Sequence, residues 1–323
     1  MIRTILFLAG MAFGAGAANA QADAYPSKPV RLVIPFAPGG STDQIGRLIA
    51  TALGPRIGQA VVVENRPGAG AQIGFEAVTR APPDGYTILL GSTDGTAIIP
   101  VIKKKAPYDP LRDFTPIAGV ARVPLVFVAN VAFPPNSLAE LVTYARAKPR
   151  SVRFGSGGVG GILHLGVEQL MASTGVDMIH VPYKGGGPMM TDVVGGHIEM
   201  VVTAVDFTRR FSDSGQLKAY AIGDTVRHPM LPNVPTTAEV GMPELQVVSW
   251  FGILGPAALP PAIVERMARE LAAIVADDNI RERMLQVGGT ATFLAPAQYA
   301  KHIADENVKW GRLVKEQRIP LQD

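Results

Sequence analysis

Val30 to Leu53 reads VRLVIPFAPGGSTDQIGRLIATAL. Val30, Leu32, Val33 and Ile34 form a short apolar run rich in β-branched residues, the pattern of a buried strand. Pro35 and Pro38 end it, and Gly39 and Gly40 allow a turn without a Cβ penalty. Ser41, Thr42 and Asp43 supply helix-capping chemistry, and Ile45, Leu48, Ile49, Ala52 and Leu53 recur at helical spacing. The segment predicts a strand, a glycine loop and a helix whose first N–H groups have no intrahelical acceptor. Such an end carries the positive pole of the helix dipole and suits a carboxylate as well as a phosphate. A βα turn that merely needs flexible residues gives the same pattern.

The alternation continues along the chain. Gln59–Glu64 predicts a second strand, followed by the breaker-rich Asn65-Arg66-Pro67-Gly68-Ala69-Gly70 and a helix near 73–80. Tyr86–Leu90 predicts a third strand that runs into Gly91-Ser92-Thr93-Asp94-Gly95. Alternating strands and helices predict a parallel sheet with ligands outside its carboxyl edge, so residues 39–43 and 91–95 are expected to lie near each other. Strands are expected at 116–120 and 125–128, with Arg122-Val123-Pro124 between them, and at 152–154, 177–181, 198–205, 217–222 and 247–254. Helices are expected at 138–147, 162–173, 189–194, 261–276 and 297–316. The order suggests two similar α/β lobes, with the chain crossing near 121–125 and returning near 242–247.

Residues 1–20 read as an export leader: Arg3, an apolar run over Ile5–Phe13, and Ala18-Asn19-Ala20 before Gln21. The apolar run is too short to span a bilayer. The formal net charge is +3, or +2 without Arg3, and basic residues are scattered apart from Lys103-Lys104-Lys105. Nucleic-acid binders carry a basic stripe, so none is expected as a partner. There is no cysteine, and His164, His180, His197, His228 and His302 lack metal-ligand spacing, so neither metal nor cofactor is expected.

Gly155, Gly157 and Gly160 form a GxGxxG between a strand and a helix, with Asp177 22 residues on. Asp177 precedes its strand, whereas a ribose-binding acid ends one, which counts against a dinucleotide. The loop is still an anion cradle, with Ser156 and free amides near a helix start. Ser156 and His164, eight residues apart, admit a secreted-hydrolase alternative, although no nucleophile elbow surrounds the serine. Asp206, at the end of an apolar strand, must be compensated or exposed. Tyr183 and Lys184 are expected to line the same opening.

YPSKPVRLVIPFAPGGSTD, VVVENRPGAGAQIG, PPDGYTILLG, YDPLRDFTPI, GSGGVGGILHL, HVPYKGGGP, VPTTAEVG and WFGILGPAALP occur in this order from Tyr25 onward. Together they resemble the Bug-type extracytoplasmic solute receptors of tripartite tricarboxylate transporters. The resemblance implies a two-lobed α/β periplasmic binding protein of type II-like form. Each lobe is then a mostly parallel sheet flanked by helices, with the ligand cleft between lobes. The expected division is 1–20 as signal peptide, 25–122 with 246–323 as the first lobe, and 123–245 as the second.

It further implies a small carboxylate ligand: a di- or tricarboxylate, an amino acid or an aromatic acid. Backbone amides, small hydroxyls and ordered waters would hold it. The implied partners are membrane permease subunits, and the protein is expected to be a non-catalytic monomer. A ligand-sensing lobe for a membrane kinase would look the same in sequence. The expected binding set starts with Phe36, Gly39, Gly40, Ser41 and Asp43, and adds Ser92 and Thr93. Ser156, Gly157, Gly160, Gly161 and His164 supply the cradle, and Tyr183, Lys184 and Asp206 complete the set. Ala71 stands where the family commonly has a third glycine, and Gly161 where serine or alanine is common.

The leader reading predicts that the exported protein begins at Gln21. Intact-mass measurement of periplasmic material checks this, and a mass retaining residues 1–20 refutes it.

Overall fold

The computed structural model describes residues 25–323, so the expected leader and its cleavage after Ala20 lie outside the described residues. The chain opens with β1 (Val30–Ile34), α1 (Ser41–Ile57), β2 (Val61–Asn65), α2 (Gln72–Thr79) and β3 (Thr87–Ser92). β1 pairs in parallel with β2 on one side and β3 on the other. β3 is buried along its whole length and β1 along all but one residue, as strands covered by helices on both faces must be. α1 buries Ile45, Leu48, Ile49 and Leu53 against this sheet. It ends at Gly58, in the left-handed conformation, whose N–H donates to the Gly54 carbonyl at 3.0 Å. A π-helical turn over Asp94–Ile98 then leads into α3 (Ile99–Ile102).

The 17-residue β4 (Phe114–Asn130) replaces the two strands expected at 116–120 and 125–128. Its prolines do not break it because each sits where the ladder changes. Pro116 borders a register shift, and Pro124 is the last residue paired with one neighbour before Leu125 begins pairing with another.

After β4 come α4 (Leu138–Ala147), β5 (Arg153–Ser156), α5 (Ile162–Thr174), β6 (Ile179–Pro182), α6 (Gly186–Val194), β7 (Met200–Ala204), α7 (Val205–Asp213) and β8 (Leu217–Ile222). β5 pairs in parallel with β6 and β7, while β7 and β8 run antiparallel to the second half of β4. The chain returns in β9 (Val248–Pro256), antiparallel to β3 and to the first half of β4. It closes with α8 (Pro261–Ala276), α9 (Asp278–Gln286), β10 (Thr290–Leu294) and α10 (Pro296–Glu316). α9 and β10 were not expected. α9 buries only Ile280 and Met284, and β10 is half-buried throughout, so neither shows a clear apolar period.

The sheet path is β2-β1-β3-β9-β4-β7-β5-β6, with β10 and β8 also on β4. Each lobe thus has a parallel triplet at its outer side and antiparallel strands where the chain crosses. Three bonds stitch the crossing: Leu125 N–H to the Val247 carbonyl at 2.9 Å, Gly223 N–H to the Leu125 carbonyl at 2.7 Å, and Val247 N–H to the Gly223 carbonyl at 2.8 Å.

Gly252 lies on β9 where the packing is closest. A Cβ there would stand 2.3 Å from the Tyr299 ring and 2.6 Å from the Ala118 carbonyl oxygen. The oxygen is backbone and Tyr299 is fully buried, so neither can yield easily. Gly252→Ala is expected to destabilise the protein by about 1–3 kcal/mol. Urea unfolding tests this, and an unchanged midpoint would refute the close packing.

Candidate functional site

Because β1, β2 and β3 are parallel, the loops at their carboxyl ends share one edge; the same holds for β5 and β6 in the second lobe. These edges face each other across a cavity of about 580 Å³. Its first wall comes from Pro35–Ala37 after β1, Pro67–Ala71 after β2 and Asp94 after β3. The opposite wall comes from Gly157–Leu163 after β5 and from Gly185 and Gly186 after β6. Ile99, Ile102, Lys103 and Gln322 close one side. A groove of about 710 Å³ between α5 and α10 is larger. It is lined by side chains of the two helices, charged, polar and apolar, with Glu244 and Gln246, rather than by glycine loops at strand ends.

Three helices begin at the smaller cavity. α2 starts at Ala71, α5 at Gly161 and α6 at Gly185, and none of the three is capped by its own side chain. At α2 the preceding turn supplies acceptors, the Ala71 N–H donating to the Gly68 carbonyl at 3.1 Å and the Gln72 N–H to the Ala69 carbonyl. The first N–H groups of α5 and α6 need an acceptor from elsewhere. Gly160 has φ +80°, and a Cβ there would lie 2.6 Å from the Ile102 side chain. Only glycine allows the backbone to pass so close to the opposite lobe.

One of these N-termini is already occupied. Asp94, from the first lobe, accepts the Ile162 N–H of α5 through Oδ1 at 2.9 Å. Burial raises the Asp94 pKa, opposed by hydrogen bonds from backbone N–H groups. A second carboxylate crosses in the other direction. Ser41, in the first turn of α1, donates to Oδ2 of Asp206 at 3.3 Å, while Oδ1 is buried without a donor. Burial raises the Asp206 pKa as well. Asp206 sits in the first turn of α7 rather than at a strand end, because β7 stops at Ala204.

Of the expected residues, Phe36, Gly157, Gly160 and Gly161 line the cavity. Gly39 and Gly40 are exposed on the same loop as Phe36 but do not line it. Asp43 is buried and turned away. Its Oδ2 takes the Gly39 N–H at 3.0 Å and Arg47 Nε at 2.9 Å, and its Oδ1 takes the Asn65 amide at 2.8 Å. Burial works to raise its pKa, yet these three bonds hold it below the usual carboxylate range. Asp43 thus pins the glycine loop.

Ser92 and Thr93 are buried too, and Thr93 Oγ1 accepts the Trp250 N–H at 2.7 Å. Tyr183 turns into the second lobe and donates to Asp192 at 2.6 Å. Burial and that carboxylate push its phenol up to about 12. Lys184 is exposed and outside the cavity lining.

The Ser156–His164 pairing is also corrected. Ser156 has no exposed surface, and its Oγ hydrogen-bonds His180 Nε2 at 2.7 Å and donates to the Gly158 carbonyl at 2.7 Å. His164 instead accepts the Gly160 N–H at Nδ1 at 3.1 Å and stacks on His180 at 3.8 Å. The serine and both rings brace the cradle from beneath.

Sequence reasoning passed over Gly68–Ala71, Asp94, Gly185–Gly186 and Gln322. The first three follow parallel strands, and that position alone marked them as edge loops. No sequence signal placed Gln322, whose side chain donates to the Val159 carbonyl at 2.5 Å.

Comparison with known proteins gives a consistent result. The family described as "Tripartite tricarboxylate transporter family receptor" matches residues 45–319. Protein BugT of Bordetella pertussis is 36% identical over 311 residues, 95% of this chain and 94% of BugT. The solved structure of periplasmic binding protein BugD superposes with a TM-score of 0.81 at 35% identity, covering 92% of this chain and 100% of that one. R. palustris Rpa4515 with adipate gives a TM-score of 0.83 at 32% identity, covering 92% of this chain and 99% of that one.

The His180 ring carries a pH consequence. Burial first, then the adjacent His164 ring, pushes its pKa down from 6.5 to about 4. The folded state therefore favours the neutral ring. Its contribution is complete above about pH 6.5 and is lost as pH falls toward 4. From pH 7 to pH 5 the wild type is expected to lose about 1 kcal/mol more stability than His180→Gln, a figure reduced for the ring's partial contact with solvent. Buried Asp94 and Asp206 pull the opposite way in both proteins and cancel in the difference. Denaturant midpoints at the two pH values decide it, and equal losses would refute this role of His180.

Proposed function

This chain belongs to the tripartite tricarboxylate transporter receptor family. From that membership and the cleft geometry we propose that it is a periplasmic solute-binding protein that captures a small carboxylate for such a transporter. The observation that carries the reading is the convergence of three helix N-termini without side-chain caps of their own on one cavity between two lobes. Amides so placed recognise negative oxygen without a lysine or arginine. The related Rpa4515 was solved with adipate, which supports a carboxylate as the ligand class.

In this reading the lobes are 25–122 with 246–323, and 123–245, hinged where Leu125, Gly223 and Val247 bond. Closure would remove water from the cavity and strengthen each charge-assisted bond. The Pro35–Ala37, Gly68–Ala71, Gly157–Gly161 and Gly185–Gly186 segments make the contacts. Ser156, His164, His180 and Asp43 hold the loops in shape. The permease subunits would read the closed form, and the receptor acts as a monomer without catalysis. The buried Ser156 has no surface from which to attack a substrate, which weighs against the hydrolase alternative.

A thermal-shift panel of aliphatic, amino and aromatic acids tests the class. A true ligand at ~100 times its dissociation constant is expected to add about 2.7 kcal/mol of stability. A panel in which neutral sugars raise the midpoint and no acid does would overturn the proposal.

A further inference from the structure

The α5 end of the cavity already holds a carboxyl group of the protein. Asp94 reaches from the first lobe to the Ile162 N–H at 2.9 Å, the position a ligand carboxylate would take at this helix terminus. It also lines the cavity, and among the described residues no other residue donates to its Oδ2. Among the described residues no arginine lines the cavity, and the one lysine that does, Lys103, donates to the Asp323 backbone oxygen at 2.7 Å. The first N–H of α2 already donates to the Ala69 carbonyl, so the start of α6, which has no side-chain cap, is the terminus left for a ligand carboxylate. Between the two ends the walls include the apolar Phe36, Ile99 and Ile102.

We propose that Asp94 takes the place of one ligand carboxylate, so that the cleft selects a monocarboxylate whose far end is a hydrogen-bond donor over the corresponding dicarboxylate. The physical reason is like-charge exclusion. Two carboxylates sharing a site disfavour each other's ionised form, whereas a hydroxyl or ammonium donates to the free oxygen of Asp94. The apolar middle then accommodates an aliphatic or aromatic body. This inference rests on the carboxylate-binding reading and narrows it.

Calorimetry on the full mature protein at pH 8, where all the acids are ionised, tests it with three matched pairs. These are 4-hydroxybutyrate and succinate, 6-hydroxyhexanoate and adipate, and 4-(hydroxymethyl)benzoate and terephthalate. In the pair whose body fits, the wild type is expected to bind the hydroxy acid about tenfold or more tightly than the dicarboxylate. Asp94→Asn keeps an acceptor for the Ile162 N–H while removing the charge, and is expected to erase or reverse that ratio. Asp94→Ser should do the same. A wild type that prefers the dicarboxylate, or a ratio unchanged in the variants, overturns the role of Asp94 and leaves carboxylate binding intact. If no acid of any pair binds either protein, the carboxylate reading itself falls, and this inference with it.

Discussion

An N–H group at the start of a helix has lost water on one side and gained no carbonyl on the other. In this protein that deficit is arranged in space. Parallel strands all end at one edge, and the helix after each strand starts there. α2, α5 and α6 therefore start at a single cavity, none with a side-chain cap of its own. Glycines stand at the starts of α5 and α6, and Gly160 lets the second lobe approach Ile102 of the first. The cradle needs no cationic side chain, in keeping with the chain's near-neutral charge.

The two edges face each other because β4 runs through both halves of the molecule. β4 alone pairs with strands of each lobe. Its two prolines mark where its partners shift, so the long strand has defined points of reduced ladder bonding. The bonds among Leu125, Gly223 and Val247 tie three chain segments together where β4 changes partners. The lobes also exchange carboxyl groups: Asp94 accepts the first N–H of α5 across the cavity, and Asp206 accepts the Ser41 hydroxyl beside the start of α1.

Much of this was visible in the residues. The apolar run 30–34, the Pro-Gly stop and the helical spacing from Ile45 to Leu53 belong to one chain segment, and local pattern reads them correctly. The glycine cradle at 155–161 was also readable, because strand, glycines and helix follow one another without interruption. The place of Asp43 is not legible in the sequence, because a carboxylate beside a glycine loop has the same signature whether it faces a ligand or fastens the loop. Arg47 and Asn65 decide that, and the contact with Asn65 is tertiary. Ser156 was paired with the wrong histidine for a related reason. His164 is nearer in sequence, but β6 runs beside β5 and brings His180 to the hydroxyl.

The sequence by itself determined the alternation of strands and helices and the glycine loops at strand ends, and its ordered motifs carry the resemblance to the family. The first two are set by backbone conformational limits and apolar periodicity, which act over a few residues. Only the tertiary structure decided which loops share the cavity, that β4 is one strand, and that Asp94 sits on the α5 terminus. Those outcomes depend on strand order and on side chains meeting across about 70 residues of chain, from Asp94 to Ile162. A carboxylate has no local preference among distant N–H groups, and packing of the two lobes selects the one it reaches.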